Sequence, residues 1–280
     1  MDKLKKLELM KTATNIRKSV IEEVFNAKSG HPGGSLSCTD MLTVLYFDEM
    51  NVDTKNPQWA DRDRFVLSKG HCAPALYATL AEKGFFPKED LVTLRKTDSY
   101  LEGHPNMNHV PGVDMSTGSL GQGISVAVGM ALAGKIDNKD YRVYSILGDG
   151  ELEEGQVWEA AMAAAQFKLD NLTAFVDYNG LQIDGPIKEV MCSEPIAAKF
   201  EAFGWNVYEI CGNDVEEIKD ALEKAKTVKG KPTMSIGKTF KGKGVSFMEN
   251  QVGWHGKAPN QEQRDQAIAE LDEYLKGLEA

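Results

Sequence analysis

Residues 141–180, YRVYSILGDGELEEGQVWEAAMAAAQFKLDNLTAFVDYNG, decide the fold. Tyr141 to Leu147 reads as a buried strand, Val157 to Phe167 is Ala-rich with helical periodicity, and Leu172 to Asp177 is a second β-branched and aromatic run. The order is strand, turn, helix, strand. A right-handed crossover of that length lays the two strands parallel. Asp149 and Asn179 then fall just past the carboxyl ends of neighbouring strands, where open α/β sheets bind ligands. One carboxylate (Asp149), one amide oxygen (Asn179) and a nearby backbone carbonyl (Leu181) supply hard oxygen donors on one side of a small cation. Mg²⁺ takes such an incomplete set, with phosphate oxygens and water completing its octahedron; Ca²⁺ is able to substitute. Gly148 and Gly150 let the backbone approach a diphosphate without a Cβ in the way. A Gly-Asp-Gly turn followed by an unrelated Asn-Gly turn would spell the same letters. The strand contexts and the spacing favour the metal–diphosphate reading.

The same alternation runs along the chain. Residues 3–27 form a charged amphipathic helix with Leu4, Leu7, Ile16, Val20 and Val24 on one stripe, ending in a glycine turn around His31. Thr39 to Met50 reads as a largely buried helix and Arg64 to Leu67 as a short strand leading to His71. Pro74 suits the first turn of the next helix. Residues 97–117 lack apolar periodicity and form a long loop of the kind that carries function. A helix at Ile196 to Phe203, a strand at Trp205 to Ile210, a helix at Val215 to Lys226, a strand at Pro232 to Ile236 and a polar helix from Gln261 to Leu278 complete the pattern. Alternating strands and helices imply an α/β fold, doubly wound, with a mostly parallel sheet covered on both faces. With 280 residues and 42% hydrophobic content, the chain can bury one such core, so a single domain over residues 1–280 is expected.

Composition narrows the function. A formal charge of −10 speaks against a nucleic-acid partner. Cys38, Cys72, Cys192 and Cys211 have no C-x-x-C spacing, which indicates neither zinc nor a disulfide framework; buried thiols of a reducing compartment are expected. No apolar stretch approaches spanning length and the start is charged. A cytoplasmic protein without membrane association is the reading.

Six short segments follow in order: Gly30-His31-Pro32-Gly33-Gly34, Ser68-Lys69-Gly70-His71, Gly103-His104-Pro105, Gly118 to Gly123 within STGSLGQG, Gly148 to Gly155 (GDGELEEG) and Trp254-His255-Gly256. Together they resemble the amino-terminal, diphosphate-binding half of transketolase over nearly the whole length. The resemblance implies thiamine diphosphate as cofactor and transfer of a two-carbon ketol unit from a ketose phosphate to an aldose phosphate. It places His71 and His255 near the cofactor diphosphate, and His31, His104 and His255 as catalytic groups facing the donor sugar's hydroxyls. Imidazole suits that work, since it exchanges protons with hydroxyls near pH 7. His109 matches nothing and is read as a loop residue.

The resemblance also carries Gly118, Ser119 and Leu120 to the aminopyrimidine of the cofactor, and Gly150, Glu154, Asn179 and Lys241 to cofactor contacts. Many relatives have Pro where Ser119 stands, but backbone atoms make that contact. The loop precedes a helix from Ile124 to Ala133, whose amides can point at an anion. Lys241 could equally belong to a solvated basic loop. Gly237-Lys238-Thr239 is not a phosphate loop, because the glycine required five positions earlier is Pro232. Glu151, Glu153 and Glu154 read as a helix start satisfying the dipole, while Glu154 and Glu159 match family positions at a self-association interface.

Cofactor activation in the family needs a glutamate and an aromatic pocket from a pyrimidine-binding domain. That domain is expected from a partner, a carboxyl-terminal transketolase subunit, in a heteromeric enzyme such as a heterotetramer. A fragment of a longer chain and a non-turnover paralogue are the other readings. Met1 and the polar terminal helix favour a natural subunit. Among competing enzymes are a xylulose-phosphate synthase and a keto-acid dehydrogenase component, and the histidine set argues against the latter.

Overall fold

The computed structural model describes residues 1–279. Helix α1 spans Lys3–Ala27, with the Asp2 side chain accepting from Lys5 N at 2.8 Å as its N-cap, a standard way to satisfy a free helix-start amide. It stops at Lys28 in the left-handed region, φ 51°. Short helices α2 (Pro32–Ser37) and α3 (Thr39–Val44) follow, α3 continuing as a wider turn to Glu49. Then come β1 (Arg64–Leu67), α4 (Ala73–Lys83), α5 (Gln122–Ile136), β2 (Val143–Gly148), α6 (Gly155–Gln166) and β3 (Leu172–Tyr178). A two-stranded hairpin of β4 (Leu181–Gln182) and β5 (Gly185–Pro186) leads to α7 (Ile187–Val190) and α8 (Ile196–Ala202). The chain continues through β6 (Asn206–Cys211), α9 (Val215–Thr227), β7 (Thr233–Lys238) and α10 (Gln261–Glu279).

The main sheet has five strands in the order β1-β2-β3-β7-β6, all parallel. From β2 to β3 the chain steps one way across the sheet, and from β6 to β7 it steps back. Right-handed crossovers therefore put α6 and α9 on opposite faces. Period-2 alternation serves both. Tyr144, Ile146 and Phe175 face a core with α1, α3, α4 and α9, while Val143, Leu147, Leu172, Ala174 and Val176 face one with α5, α6 and α8.

Two expectations are corrected. Leu4 is 80% exposed and lies outside the buried stripe of α1, because it sits in the first turn, beyond the helices that cover Ile16, Val20 and Val24. The glycine turn at His31 is instead the entry to α2, with Pro32 in its first turn, where the missing N–H costs nothing. Of the cysteines, Cys38 and Cys72 are buried, Cys192 is exposed and Cys211 half-buried.

Candidate functional site

The carboxyl ends of β1, β2, β3 and β7 lie side by side, and each is followed within four residues by one singled out by the sequence: His71, Asp149, Asn179 and Lys241. Asp149, 2% exposed, follows β2. One of its oxygens accepts Gly150 N at 2.9 Å and the other accepts Gly180 N at 2.5 Å. The adjacent strand ends are thereby stitched together. Gly180 turns the chain with φ 78°, a conformation that favours glycine. Asn179 Oδ1 accepts Leu181 N at 3.1 Å, which folds the amide into the same turn. The Leu181 carbonyl accepts from Lys241 Nζ at 3.1 Å, and that ammonium also lies 3.1 Å from His255 Nδ1. Asp149, Gly150, Asn179, Leu181 and Lys241 thus converge from the ends of β2, β3 and β7, and His255 joins them from the later turn after Val252–Trp254.

The electrostatics suit a cation and an anionic group bound together. Burial, reinforced by the Asp177 charge, pushes the Asp149 carboxyl up to about 7. A bare carboxylate is therefore costly there, and a divalent cation would relieve that cost. Burial also lowers Lys241, helped by the nearby Lys69 ammonium. The donor set of one carboxylate, one amide oxygen and one carbonyl fits Mg²⁺ with phosphate oxygens as further ligands. Among the described residues, no group of three or more His, Cys, Asp or Glu side chains offers another metal site.

Three of the expected histidines form a compact triangle. Ring centroids are 5.2 Å apart for His31 and His71, 5.4 Å for His31 and His255, and 5.3 Å for His71 and His255. His31 Nδ1 is buried without a hydrogen-bond partner, an unsatisfied group of the kind a polar ligand would meet. Burial followed by the charge of His71 lowers His31 to about 4, and burial followed by Lys241 lowers His255 to about 3. Both rings are therefore neutral at pH 7 and able to accept a hydroxyl proton. His104 stands on the loop and packs against Gly118, where a Cβ would lie 2.9 Å from its ring. Partial burial and Arg95 lower its basicity. His109 pairs with Glu102 on the surface at 2.8 Å, in keeping with its loop position.

Some of the loop chemistry differs from the reading of the sequence. Glu151 is 2% exposed and does not merely face a helix dipole. It accepts Gly121 N at 2.9 Å, Gly148 N at 3.0 Å and the Ser68 hydroxyl. Ser68 Oγ in turn accepts Ile124 N at 3.1 Å. The Gly121 and Ile124 amides at the start of α5 are thus taken by the Glu151 carboxylate and the Ser68 hydroxyl and are not free for a bound anion. Gly118 and Leu120 are half-buried, while Ser119, Glu154 and Glu159 are exposed. Glu154 packs its stem beside Gly121, whose φ of 80° and lack of a Cβ permit the approach.

Two buried residues beside the site, Lys69 and Asp177, do not stand out in the sequence. Lys69 sits inside the segment that carries His71, and Asp177 closes an apolar strand. They form an ion pair at the floor of the site, 2% and 0% exposed. Burial alone would lower Lys69, but the Asp177 carboxylate reverses this and raises it. An acid ending an apolar strand was the available signal, since such a charge is buried only with partners.

Comparison with known proteins gives the family. Residues 9–272 match the family "Transketolase, thiamine diphosphate binding domain". The chain is 49% identical over 266 residues to the 6-deoxy-6-sulfo-D-fructose transketolase subunit of Clostridium sp. (strain MSTE9), covering 95% of this chain and 97% of that one. It is 48% identical to an apulose-4-phosphate transketolase subunit of Phocaeicola vulgatus, covering 94% of this chain and 93% of the relative. Transketolase of Homo sapiens is 44% identical, but the match spans only 42% of its length. The crystal structure of transketolase from Campylobacter jejuni superimposes with a TM-score of 0.89 at 36% identity, over 94% of this chain and 42% of that one. With the family match, the subunit-length relatives and the shared fold in agreement, the chain belongs to the transketolase family, as its thiamine diphosphate-binding amino-terminal part.

Proposed function

We propose that this chain is the amino-terminal subunit of a two-polypeptide transketolase, binding the magnesium–diphosphate end of thiamine diphosphate and the donor sugar. The observation that carries the reading is the meeting of Asp149 with the Asn179–Leu181 turn beside Lys241 and the three-histidine triangle. Asp149, Asn179 and the Leu181 carbonyl would hold Mg²⁺, with Lys241, His71 and His255 on the diphosphate and Gly150 giving it room. Gly118, Ser119, Leu120 and Glu154 would meet the rest of the cofactor. When bound, thiamine diphosphate supplies the carbanion chemistry that cleaves a ketose and passes two carbons on.

The chain's own share is positioning and proton management. His31 and His255, neutral at pH 7, are suited to hold donor hydroxyls and accept their protons, and His104 reaches toward the same space from its loop. A ketose phosphate donor and an aldose phosphate acceptor fit this use of imidazoles. The relatives' names, an apulose phosphate and a sulfonated fructose transketolase subunit, support a chain that works with a second polypeptide, the carboxyl-terminal one with the pyrimidine-binding domain. Self-association through the exposed face of α5 and α6, near Glu154 and Glu159, would bring two such sites together. We place the protein in the cytoplasm, where its free cysteines would stay reduced. No helix among the described residues is long and apolar enough to cross a membrane.

The test is reconstitution. The purified chain should show no ketol transfer from xylulose 5-phosphate to ribose 5-phosphate, and should gain it on mixing with the pyrimidine-domain polypeptide. Turnover by the chain alone would overturn the two-polypeptide reading.

A further inference from the structure

Beneath the candidate metal site, one carboxylate gathers groups from four chain segments. Asp177 is 0% exposed. Its Oδ2 accepts the Ser37 hydroxyl at 2.5 Å, the Lys69 ammonium, and Asn179 Nδ2 at 3.4 Å, and its Oδ1 accepts the Thr239 hydroxyl. Lys69 Nζ also donates to Gly34 O at 3.0 Å. Each donor sits close in sequence to a site residue. Ser37 ends the short helix that His31 begins, Lys69 is two residues before His71, Asn179 is itself in the site, and Thr239 is two residues before Lys241. A buried carboxylate left without such donors would be strongly destabilising, so these bonds form together and fix the four segments relative to one another.

We infer that Asp177 is a positioning residue for metal binding, because its carboxylate sets which end of the Asn179 amide faces the cation. A carboxylate only accepts, so it selects the amide nitrogen, and Oδ1, which also accepts Leu181 N, keeps a second lone pair for the cation side. A flipped amide would present NH₂ to Mg²⁺, which takes oxygen ligands. Groups that orient a ligand in this way typically alter metal affinity by ~10- to 100-fold. The inference rests on the magnesium–diphosphate reading and adds to it the group that orients one of the ligands.

The test uses inorganic pyrophosphate as probe, measured by calorimetry on the full chain with Mg²⁺ and with EDTA. The ratio of the two affinities reports the metal's contribution and is insensitive to a general loss of positive charge. Asp177→Asn removes the acceptor-only character and should lower that ratio by ~10-fold or more. Because Asp177→Asn leaves Lys69 buried and unpaired and can unfold the chain, the double variant Lys69→Met/Asp177→Asn is measured beside it. It should recover thermal stability while the ratio stays depressed. A ratio equal to wild type in the folded double variant would overturn the inference. Failure of the wild type to bind pyrophosphate even with Mg²⁺ would sink the cofactor reading itself.

Discussion

The Asp149 carboxylate accepts the Gly180 amide at 2.5 Å, so a side chain at the end of β2 holds the turn at the end of β3. That single contact ties the two halves of the proposed metal site to the register of the sheet. Because β2 and β3 pair with Gly148 opposite Asp177, any change of register between the two strands would separate them. The site is therefore a property of the βαβ unit and not of either loop alone.

Asp149→Ala should abolish magnesium-dependent binding of thiamine diphosphate, a loss beyond ~100-fold, since a direct ligand matters more than the groups that orient it. The same variant leaves the Gly150 and Gly180 amides without their acceptor, so it should melt below wild type without ligand. Calorimetry with and without Mg²⁺ checks the first outcome and a thermal melt the second. Unchanged cofactor affinity would remove Asp149 from the metal site.

His31→Ala separates sugar handling from cofactor binding. Its ring touches neither Asp149 nor the 179–181 turn by hydrogen bond, and its Nδ1 is free of protein partners. Cofactor affinity should stay within about threefold of wild type, while kcat/KM for the donor in the reconstituted enzyme falls by ~10²-fold or more, the scale of a lost general acid–base group. Steady-state kinetics on two donors differing in hydroxyl configuration would show whether the loss follows the sugar.

Much of this was readable from the letters, and what escaped has physical causes. Strand and helix positions followed from periodicity, and the α1, β1 and β2–β3 segments were found within a residue or two. The neighbour order was not, because a pattern of apolar residues tells that β7 exists and not that it lies between β3 and β6. His31, His71 and His255 stood out because glycine turns are odd places for imidazoles. Glu151 and Asp177 did not stand out: both look like ordinary surface acids until the fold brings Gly121, Ser68, Lys69 and Thr239 to them from far along the chain. Leu4 misled for the opposite reason, since helical spacing marks a stripe but not where its covering partners end.

Glu23 gives a stability prediction with a definite sign. It is 0% exposed on α1, and both carboxyl oxygens are buried without a hydrogen-bond partner. Burial raises it well above its ordinary 4.5, so the folded state holds its proton more tightly than the unfolded chain. Its stability contribution is then fully present below pH 4.5 and is lost as pH rises toward the folded value. Glu23→Met should stabilise the chain at pH 8 by roughly 1–3 kcal/mol, the cost of an uncompensated buried polar group, and by less at pH 5. Melting curves at the two pH values check this; an equal gain at both would refute the titration argument.

Glu151→Ala should loosen the Gly118–Gly123 loop. The lost acceptor serves two backbone amides and the Ser68 hydroxyl, and bonds to a buried carboxyl are worth about 1.5–3 kcal/mol each before relaxation. A net destabilisation of ~2–4 kcal/mol is expected. Hydrogen exchange at the amides of Gly121 and Ile124 should accelerate, while amides within β3 change only with the global stability. Protection retained at Gly121 would show that the loop is held by something other than Glu151.

Helix α5, QGISVAVGMALAGKI, is apolar on nearly every side, although Gly129, Ala133 and Ile136 face outward. A helix hydrophobic all round normally has protein on all sides. On the packed neighbour α6, Met162 is also exposed, at 57% against 69% for Ile136. A second copy of the chain is the proposed cover. A Cβ added at Gly129 would meet no atom within 4 Å, so Gly129→Arg fits the folded chain and improves helix propensity by ~1 kcal/mol. It should leave melting of the monomer intact while placing a charge in the proposed contact. Light scattering after size exclusion should then show the wild type as a dimer of this chain, or a larger assembly with its partner, and the variant at half that mass. A variant that keeps the wild-type mass would place the self-association surface away from α5.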